Sequence, residues 1–473
     1  MSITEALERW SAMSFFTEMN NQNNPSEINR RNFIGSFSSL MTLMGGVAIA
    51  RAQEKKEGEK ERYSGPPLGC AVIGCGQWGR EILSNLSRLP KANVVGICDT
   101  YGPYMNRGQN VAPKAKKYSN YTELLADKAV QAVIIATPTH LHKQIVLDAI
   151  QAGKHIYCEA PLAHTLEDAR VIAKAAKGAG KVYFQAGLQQ RSDPELIHIL
   201  EFVRAGAAGS PLLTRAQSHK KNSWRRSSPN PEFENALNWR LRKETSIGLV
   251  GELGIHNIDA AGWFMNRRAV SVTGFGSTIL WNDGRDLPDT VQAVVEYTQG
   301  ARLLYDATLA NSFDSEYDTY YGTDATVMVR DRRGWMFKEV DSPLLGWEVY
   351  ARKETFFKEV GIVLAANATK LAAQGDNPVI DTQVATQGSL YYALDAFITN
   401  ADLTRTGIED FTATYGTDDP TELGKYLADV MKNKLPAADW KLGFEATVTA
   451  IKAHEAVMKH GRVELKDELF NIG

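Results

Sequence analysis

The stretch Gly69-Cys-Ala-Val-Ile-Gly-Cys-Gly-Gln-Trp-Gly79, an apolar run ending in glycines at 74, 76 and 79, constrains the fold of this chain most. Helical spacing follows at Ile82, Leu83, Leu86 and Leu89, so a buried strand is predicted to turn directly into a helix. Gly74 permits the tight turn, Gly76 lets backbone approach a diphosphate, and Gly79 lets helix and strand pack closely. The helix N-terminus then offers free N–H groups to the phosphates. Gln77 and Trp78 complete the loop and are counted with the cofactor contacts. A second apolar run, Asn93 to Cys98, ends at Asp99, 20 residues beyond Gly79. A carboxylate there accepts hydrogen bonds from ribose hydroxyls and repels a 2′-phosphate, which favours NAD over NADP.

The alternation continues. Val130 to Ala136 reads as a buried strand leading through Thr137, Pro138 and His142 into a helix, and Lys154 to Cys158 reads as the next strand. Thr165, with Asp168 three residues on, is an N-cap signal, and Lys181 to Gly187 closes the set. Strands and helices of this length predict an α/β domain with a doubly wound parallel sheet over 67–186. In that fold Thr137, Pro138 and His142 follow a strand end, and His142 also fits a helix-capping role. After Gly187 the runs 212–219, 269–276, 291–297, 302–308 and 325–330 suit an antiparallel sheet. From Phe356 onward the pattern is mainly helical, with a polar break at 415–420 and a closing amphipathic helix over 445–460.

Two segments carry a resemblance. "ATPTHLHKQIVLDAIQAGKHIYCEAPLAHTLEDAR" and Gly248-Leu-Val-Gly-Glu-Leu-Gly-Ile-His-Asn-Ile-Asp259 resemble the Gfo/Idh/MocA family of NAD(P)-dependent sugar and polyol oxidoreductases. The resemblance implies a Rossmann domain followed, over 187–473, by an α+β domain with an open, mostly antiparallel sheet that receives a small carbohydrate beside the nicotinamide. It also implies a homo-oligomer. By the same resemblance Thr137, Pro138 and His142, with Glu159 and Pro161, border the cofactor cleft, and Pro161 suits a cis peptide. Proton transfer in the family falls to a lysine after the Glu of the first segment and to a histidine of the second. His256 matches that histidine, Asp259 the following acid, and Glu252 stands where the family usually has Asp. The lysine position is Ala160. Arg191, Lys220, Lys221 and Lys243 are the basic side chains that could compensate. "HKKNSWRR" at 219–226 is either a site for an acidic sugar or sulfate, or a solvated loop. Trp224, Trp239 and Tyr321 either stack on sugar C–H faces or fill core.

Composition narrows the partners. A net charge of −2, from 53 basic and 55 acidic residues, gives no general attraction to nucleic acid or an anionic membrane. Cys70, Cys75, Cys98 and Cys158 lack metal-ligand spacing and read as buried thiols, so no metal is expected. Near the N-terminus, Asn29-Arg-Arg-Asn-Phe-Ile34 precedes an uncharged run from Phe33 to Ala50, which resembles a twin-arginine export signal over 1–52. Ala48-Ile-Ala50 and Ala50-Arg-Ala52 are cleavage candidates, an uncleaved anchor is the other reading, and translation starts at Met1 or Met19. Once cleaved, the chain keeps no membrane span. A charged tether, 53–66, follows. Export carries a consequence, because free NAD is not expected to be replenished outside the cytoplasm. The expectation is therefore an exported oxidoreductase that keeps and recycles its cofactor. Two alternatives stay open: a redox-neutral NAD-dependent glycoside hydrolase or epimerase, and a catalytically silent sugar-binding protein.

Overall fold

In the computed structural model β1 (Leu68–Ile73) runs into α1 (Gln77–Leu86), the strand-to-helix turn expected around the three glycines. The structure describes residues 66–473 apart from residue 229 and the segments 357–358, 365–386 and 417–418. The expected export signal, and the tether up to residue 65, lie outside the described residues. The first domain continues as β2 (Ala92–Cys98), α2 (Gly102–Val111), β3 (Lys116–Tyr118), α3 (Tyr121–Ala126), β4 (Ala132–Ile135), α4 (His142–Gln151), β5 (His155–Cys158), α5 (Leu166–Gly178) and β6 (Phe184–Ala186). Its strands are all parallel, in the order β3-β2-β1-β4-β5-β6. Strand order reverses between β1 and β4. The loops leaving those strands diverge and open a crevice at the carboxyl ends, which is where such sheets bind dinucleotides.

The second part comprises α6 (Pro194–Arg204), β7 (Pro211–His219), α7 (Gly248–Glu252), α8 (Gly254–Met265), β8 (Ala269–Ser277), β9 (Thr290–Tyr297) and β10 (Arg302–Thr308). It continues with β11 (Glu316–Gly322), β12 (Ala325–Arg330), β13 (Arg333–Lys338), β14 (Lys353–Phe356), β15 (Glu359–Leu364), α9 (Ser389–Tyr415), α10 (Pro420–Val430), α11 (Trp440–Lys459) and β16 (Arg462–Glu464). Among the described residues the sheet order is β14-β15-β13-β12-β11-β7-β10-β9-β8-β16. Its pairs are antiparallel except β7 with β10. The five predicted strands lie within one residue of their observed ends. The stretch from Phe356 onward is mainly helical among the described residues, as expected, but its start is corrected: Val360, Ile362 and Val363 are β-branched, and their segment pairs with β13 and β14 as strand β15.

Both faces of the parallel sheet are buried, which its short apolar strands require. Ala132 and Ile134 pack with Ile82 and Leu83 of α1 and with Leu394 and Phe397 of α9. Val133 and Ile135 pack on the other side with α4, α5 and Phe444 of α11. The helical C-terminal part thus returns to the first sheet. Phe397 is fully buried between Tyr157 and Tyr183, with ring centroids 5.7 and 6.2 Å away. Burial of such a ring contributes roughly 1.5–3 kcal/mol. Helix α11 joins the two layers: Thr447 Oγ1 accepts the Leu162 N–H at 3.0 Å, while Ala453, Ala456 and Val457 enter the core under the second sheet. Gly274 and Gly276 leave room for Val457, since an added Cβ would come within 2.9 Å of it. That shared helix fixes the second domain against the crevice.

Candidate active site

The glycine loop is built as the motif requires. Gly74 has φ +101°, and a Cβ there would lie 2.5 Å from Ala136 O; a Cβ on Gly79 would lie 1.8 Å from Gly74 O. Gly76 differs, because the nearest atom to an added Cβ is Tyr104 Cε2 at 3.8 Å. Its face is therefore open to a ligand. Asp99 accepts the N–H groups of Cys75 and Tyr101, both at 2.7 Å, and so ties the loop to the end of β2. Burial pushes its carboxyl pKa up despite those bonds.

The loops after β4 and β5 form the other wall. His142 is buried, with Nδ1 3.1 Å from Pro161 O and Nε2 3.0 Å from Thr137 O, so it pins one loop to the other. Burial pulls its pKa down to about 4. That makes it a structural link, as its position at a helix start allowed. The Ala160–Pro161 peptide is cis, as the sequence suggested. Glu159 is buried, and burial raises its pKa to about 7 even though Trp78, Tyr157 and Arg240 pull it the other way. Glu159 Oε1 and Thr137 Oγ1 are both buried without a hydrogen-bond partner. Two orphaned polar atoms beside an open glycine face are what a dinucleotide's amide and hydroxyl groups would satisfy.

The second sequence motif forms α7 and α8 with a break at Leu253. Gly254 lets the chain approach the sheet, since a Cβ there would meet Tyr305 Cε1 at 2.9 Å. Glu252 is not free for proton transfer. Its carboxylate accepts Ser246 Oγ at 2.9 Å, the Ile247 N–H at 3.3 Å and Thr139 Oγ1 at 3.0 Å, which clamps α7 to the loop after β4. Asp259 and Arg191 form a bidentate ion pair with both contacts at 2.8 Å and side-chain exposures of 8% and 14%. The guanidinium also lies 5.1 Å from the Trp263 ring. Each therefore occupies the other, which corrects the direct roles expected for Asp259 in catalysis and Arg191 toward substrate. His256 makes no side-chain hydrogen bond among the described residues. Burial lowers its pKa, and Asp259 and Glu316 draw it partly back up. Lys220, Lys221 and Lys243 are exposed, and their ammonium groups form no ion pair among the described residues, so the structure does not assemble them into the site.

The second-domain stretches 222–228 and 230–242 reach three of the loops at the carboxyl end of the parallel sheet. Arg226 Nη2 donates to Gln77 Oε1 at 3.0 Å, on the glycine loop. Phe233 packs on Tyr101, just past Asp99, with centroids 5.0 Å apart. Trp239 meets His140, in the loop after β4, at 6.3 Å. The two stretches are tied together by Asn238, whose Oδ1 accepts the Arg226 N–H and whose Nδ2 donates to Arg226 O, each at 2.8 Å. The basic cluster at 219–226 is thus partly a strap over the cofactor crevice rather than a free anion site. Trp239, expected at the substrate, carries Arg240 instead: the Arg240 Cζ lies 4.4 Å from the Trp239 ring and 5.7 Å from that of Trp224. Sequence reasoning missed Arg240. Its one signal was a tryptophan immediately before it.

The sequence matches the family model described as "Oxidoreductase family, NAD-binding Rossmann fold" over residues 68–187 and that of the GFO/IDH/MocA C-terminal domain over 197–328, together more than half of the chain. The chain belongs to the Gfo/Idh/MocA oxidoreductase family. It is an NAD-dependent oxidoreductase by that membership, and the glycine loop, Asp99, Thr137 and Glu159 are the residues that fit the cofactor. Relatives include inositol 2-dehydrogenase of Rubrobacter xylanophilus, 29% identical over 59% of this chain and 71% of that one. Another is 2,7-anhydro-N-acetylneuraminate hydratase of Escherichia coli, 26% identical over 55% of this chain and 67% of that one. Levoglucosan dehydrogenase, solved with NADH and levoglucosan, shares the fold with a TM-score of 0.60 and 18% identity, over 85% of this chain and 100% of that one. Among the described residues no group of His, Cys, Asp and Glu could hold a metal ion, and no helix is long and apolar enough to cross a membrane.

Proposed function

We propose that this Gfo/Idh/MocA protein oxidises a hydroxyl of a carbohydrate or polyol with NAD that stays bound through turnover. The observation that carries the retention is the strap. It contacts the loops after β1, β2 and β4, so it would cover a dinucleotide held by those loops. Retention in turn suits a protein exported by the twin-arginine route, the localisation we propose from Arg30 and Arg31.

When bound, NAD supplies the hydride acceptor. The chain's residues handle the proton and the geometry: His256, neutral because burial lowers its pKa, accepts the hydroxyl proton. Asp259, held by Arg191, bears on that histidine electrostatically, and Glu252 holds α7 to the cofactor wall. Denaturing the purified protein should release close to one nicotinamide per chain, whereas an empty protein would sink the retention. His256→Ala should keep that nicotinamide and lose turnover.

Ala160 favours a second reading. With a methyl group beside Glu159 where a proton donor could stand, a redox-neutral hydrolase or epimerase competes with net oxidation, and one relative bears a hydratase name. Release of aglycone from aryl glycosides without net NADH would establish that reading.

A further inference from the structure

Oxidation of a hydroxyl builds negative charge on its oxygen as the proton leaves, and a cation placed at that oxygen lowers the barrier. The strand end at Glu159 and Ala160 supplies none. Burial drives the Glu159 and Glu252 carboxyls up, and the arginines Arg80 and Arg226 are engaged at the glycine loop through Cys75 O and Gln77 Oε1. Arg240 is the exception that the strap delivers. Its guanidinium stacks between two indoles, 4.4 Å from Trp239 and 5.7 Å from Trp224, which limits its rotamers. It has no hydrogen bond or ion pair among the described residues, although Glu252 and Glu159 both bear on it electrostatically. Trp239 seats the residue against His140, in the loop that also carries Thr139 and its bond to Glu252. Arg240 is solvent-exposed, so a guanidinium with five donors and no protein acceptor, stacked on two indoles, is open to a ligand oxygen.

We propose that Arg240 is a catalytic residue: its guanidinium holds the substrate oxygen that loses its proton and supplies the cation that residue 160 does not. The assignment rests on the oxidoreductase reading above. In the step, the C–H bond gives its electron pair to the bound nicotinamide, the O–H proton goes to His256, and Arg240 keeps its charge throughout. A dinucleotide diphosphate offers the same oxyanion chemistry, and Arg226, which reaches the glycine loop through Gln77, makes it the rival source.

The test uses the holoprotein with Arg240→Met, which keeps an apolar stem between the indoles, together with Arg240→Lys and the double variant Arg240→Met/Ala160→Lys. Reduction of bound NAD by myo-inositol or levoglucosan is followed at 340 nm, and nicotinamide per chain is measured after denaturation. Arg240→Met should retain its nicotinamide and lose about 100-fold or more in rate. Arg240→Lys and the double variant should each recover part of that loss. An unchanged rate in Arg240→Met overturns the proposal, and so does loss of nicotinamide, which would assign the guanidinium to the diphosphate. A wild type that reduces with neither sugar refutes the oxidoreductase reading on these substrates. Arg240 is then judged by its modification with phenylglyoxal, mapped by mass spectrometry. Protection by a polyol in the NAD-loaded protein supports the substrate assignment; protection by NAD alone, or none, overturns it.

Discussion

Asp259→Asn and Arg191→Met should both destabilise the protein yet move His256 in opposite directions. Both contacts of the pair are 2.8 Å, and the side chains are 8% and 14% exposed, so removing one partner leaves the other charge buried and unpaired. Such losses run to about 3–5 kcal/mol. Arg191 stripped of Asp259 still faces the Trp263 ring at 5.1 Å, an interaction worth roughly 0.5–2 kcal/mol, so Asp259→Asn belongs near the lower end. Asp259 stripped of Arg191 has no such consolation and belongs near the upper end. Arg191→Met/Asp259→Leu removes both charges and should cost far less than the two singles together. Urea unfolding of the nicotinamide-free protein reads these differences. The acid limb of kcat/KM reads the histidine, because a base is competent only above its pKa. Burial holds the His256 pKa down while Asp259 draws it up. Asp259→Asn deletes that carboxylate and exposes a cation, so the limb moves to lower pH; Arg191→Met leaves the carboxylate uncompensated, so the limb moves to higher pH. Singles that each cost under about 1 kcal/mol, or limbs that move the same way, would refute the assignment.

Glu159→Gln tests the buried carboxyl. The folded pKa is raised from 4.5 to about 7, so the native state holds a proton that the unfolded chain has released, and Glu159 loses stability for the fold as pH rises through that window. In nicotinamide-free protein, the stability of Glu159→Gln relative to wild type should rise by up to about 3 kcal/mol between those pH values, measured by urea titration. A flat difference would place the carboxyl in a wetter setting. Gly79→Ala and Gly76→Ala separate packing from ligand approach. The former puts a Cβ 1.8 Å from Gly74 O and should lower the melting temperature even without cofactor; the latter meets nothing closer than 3.8 Å and should fold normally while losing NAD affinity. Equal melting temperatures for the two variants would contradict the geometry.

The Rossmann half was legible because its determinants are local. A glycine pattern, an apolar strand and Asp99 lie within a short span, and the N-cap at Thr165 accepts the Asp168 N–H as its spacing implied. Five strands of the second sheet were legible; apolar β15 reads with the helical stretch that follows, and β11 was missed because its Glu-Tyr-Asp-Thr-Tyr-Tyr-Gly reads as polar, alternate residues meeting helix α8 through groups such as Asn257 and Asp318, 3.0 Å apart. Pairings across distant segments left no local trace. Nothing in the neighbourhood of Arg191 announces Asp259, 68 residues away, and nothing near Glu252 announces Thr139, 113 residues away. The same limit hid Arg240, whose significance arises only when the strap carries it into the crevice.

The strap also changes what Ala160 implies. If NAD does not exchange, every oxidation must be answered by a reduction on the same nicotinamide, whatever the substrate. The oxidoreductase and redox-neutral readings then share their first step, and they part at the fate of the carbonyl product. Should that product leave, a second sugar must enter to be reduced; should it stay, its acidified neighbouring C–H bond is open to elimination or epimerisation before hydride returns. His256 has no side-chain hydrogen bond among the described residues, so it is free to serve as base in either step, whereas Arg240 bears only on an oxygen that carries charge. A lysine at 160 would add a second proton donor beside Glu159. Its replacement by alanine leaves the oxygen a cation that does not readily give up a proton, which stabilises an alkoxide or enolate without quenching it. Of the two fates, that arrangement suits the one in which the carbonyl persists long enough to react.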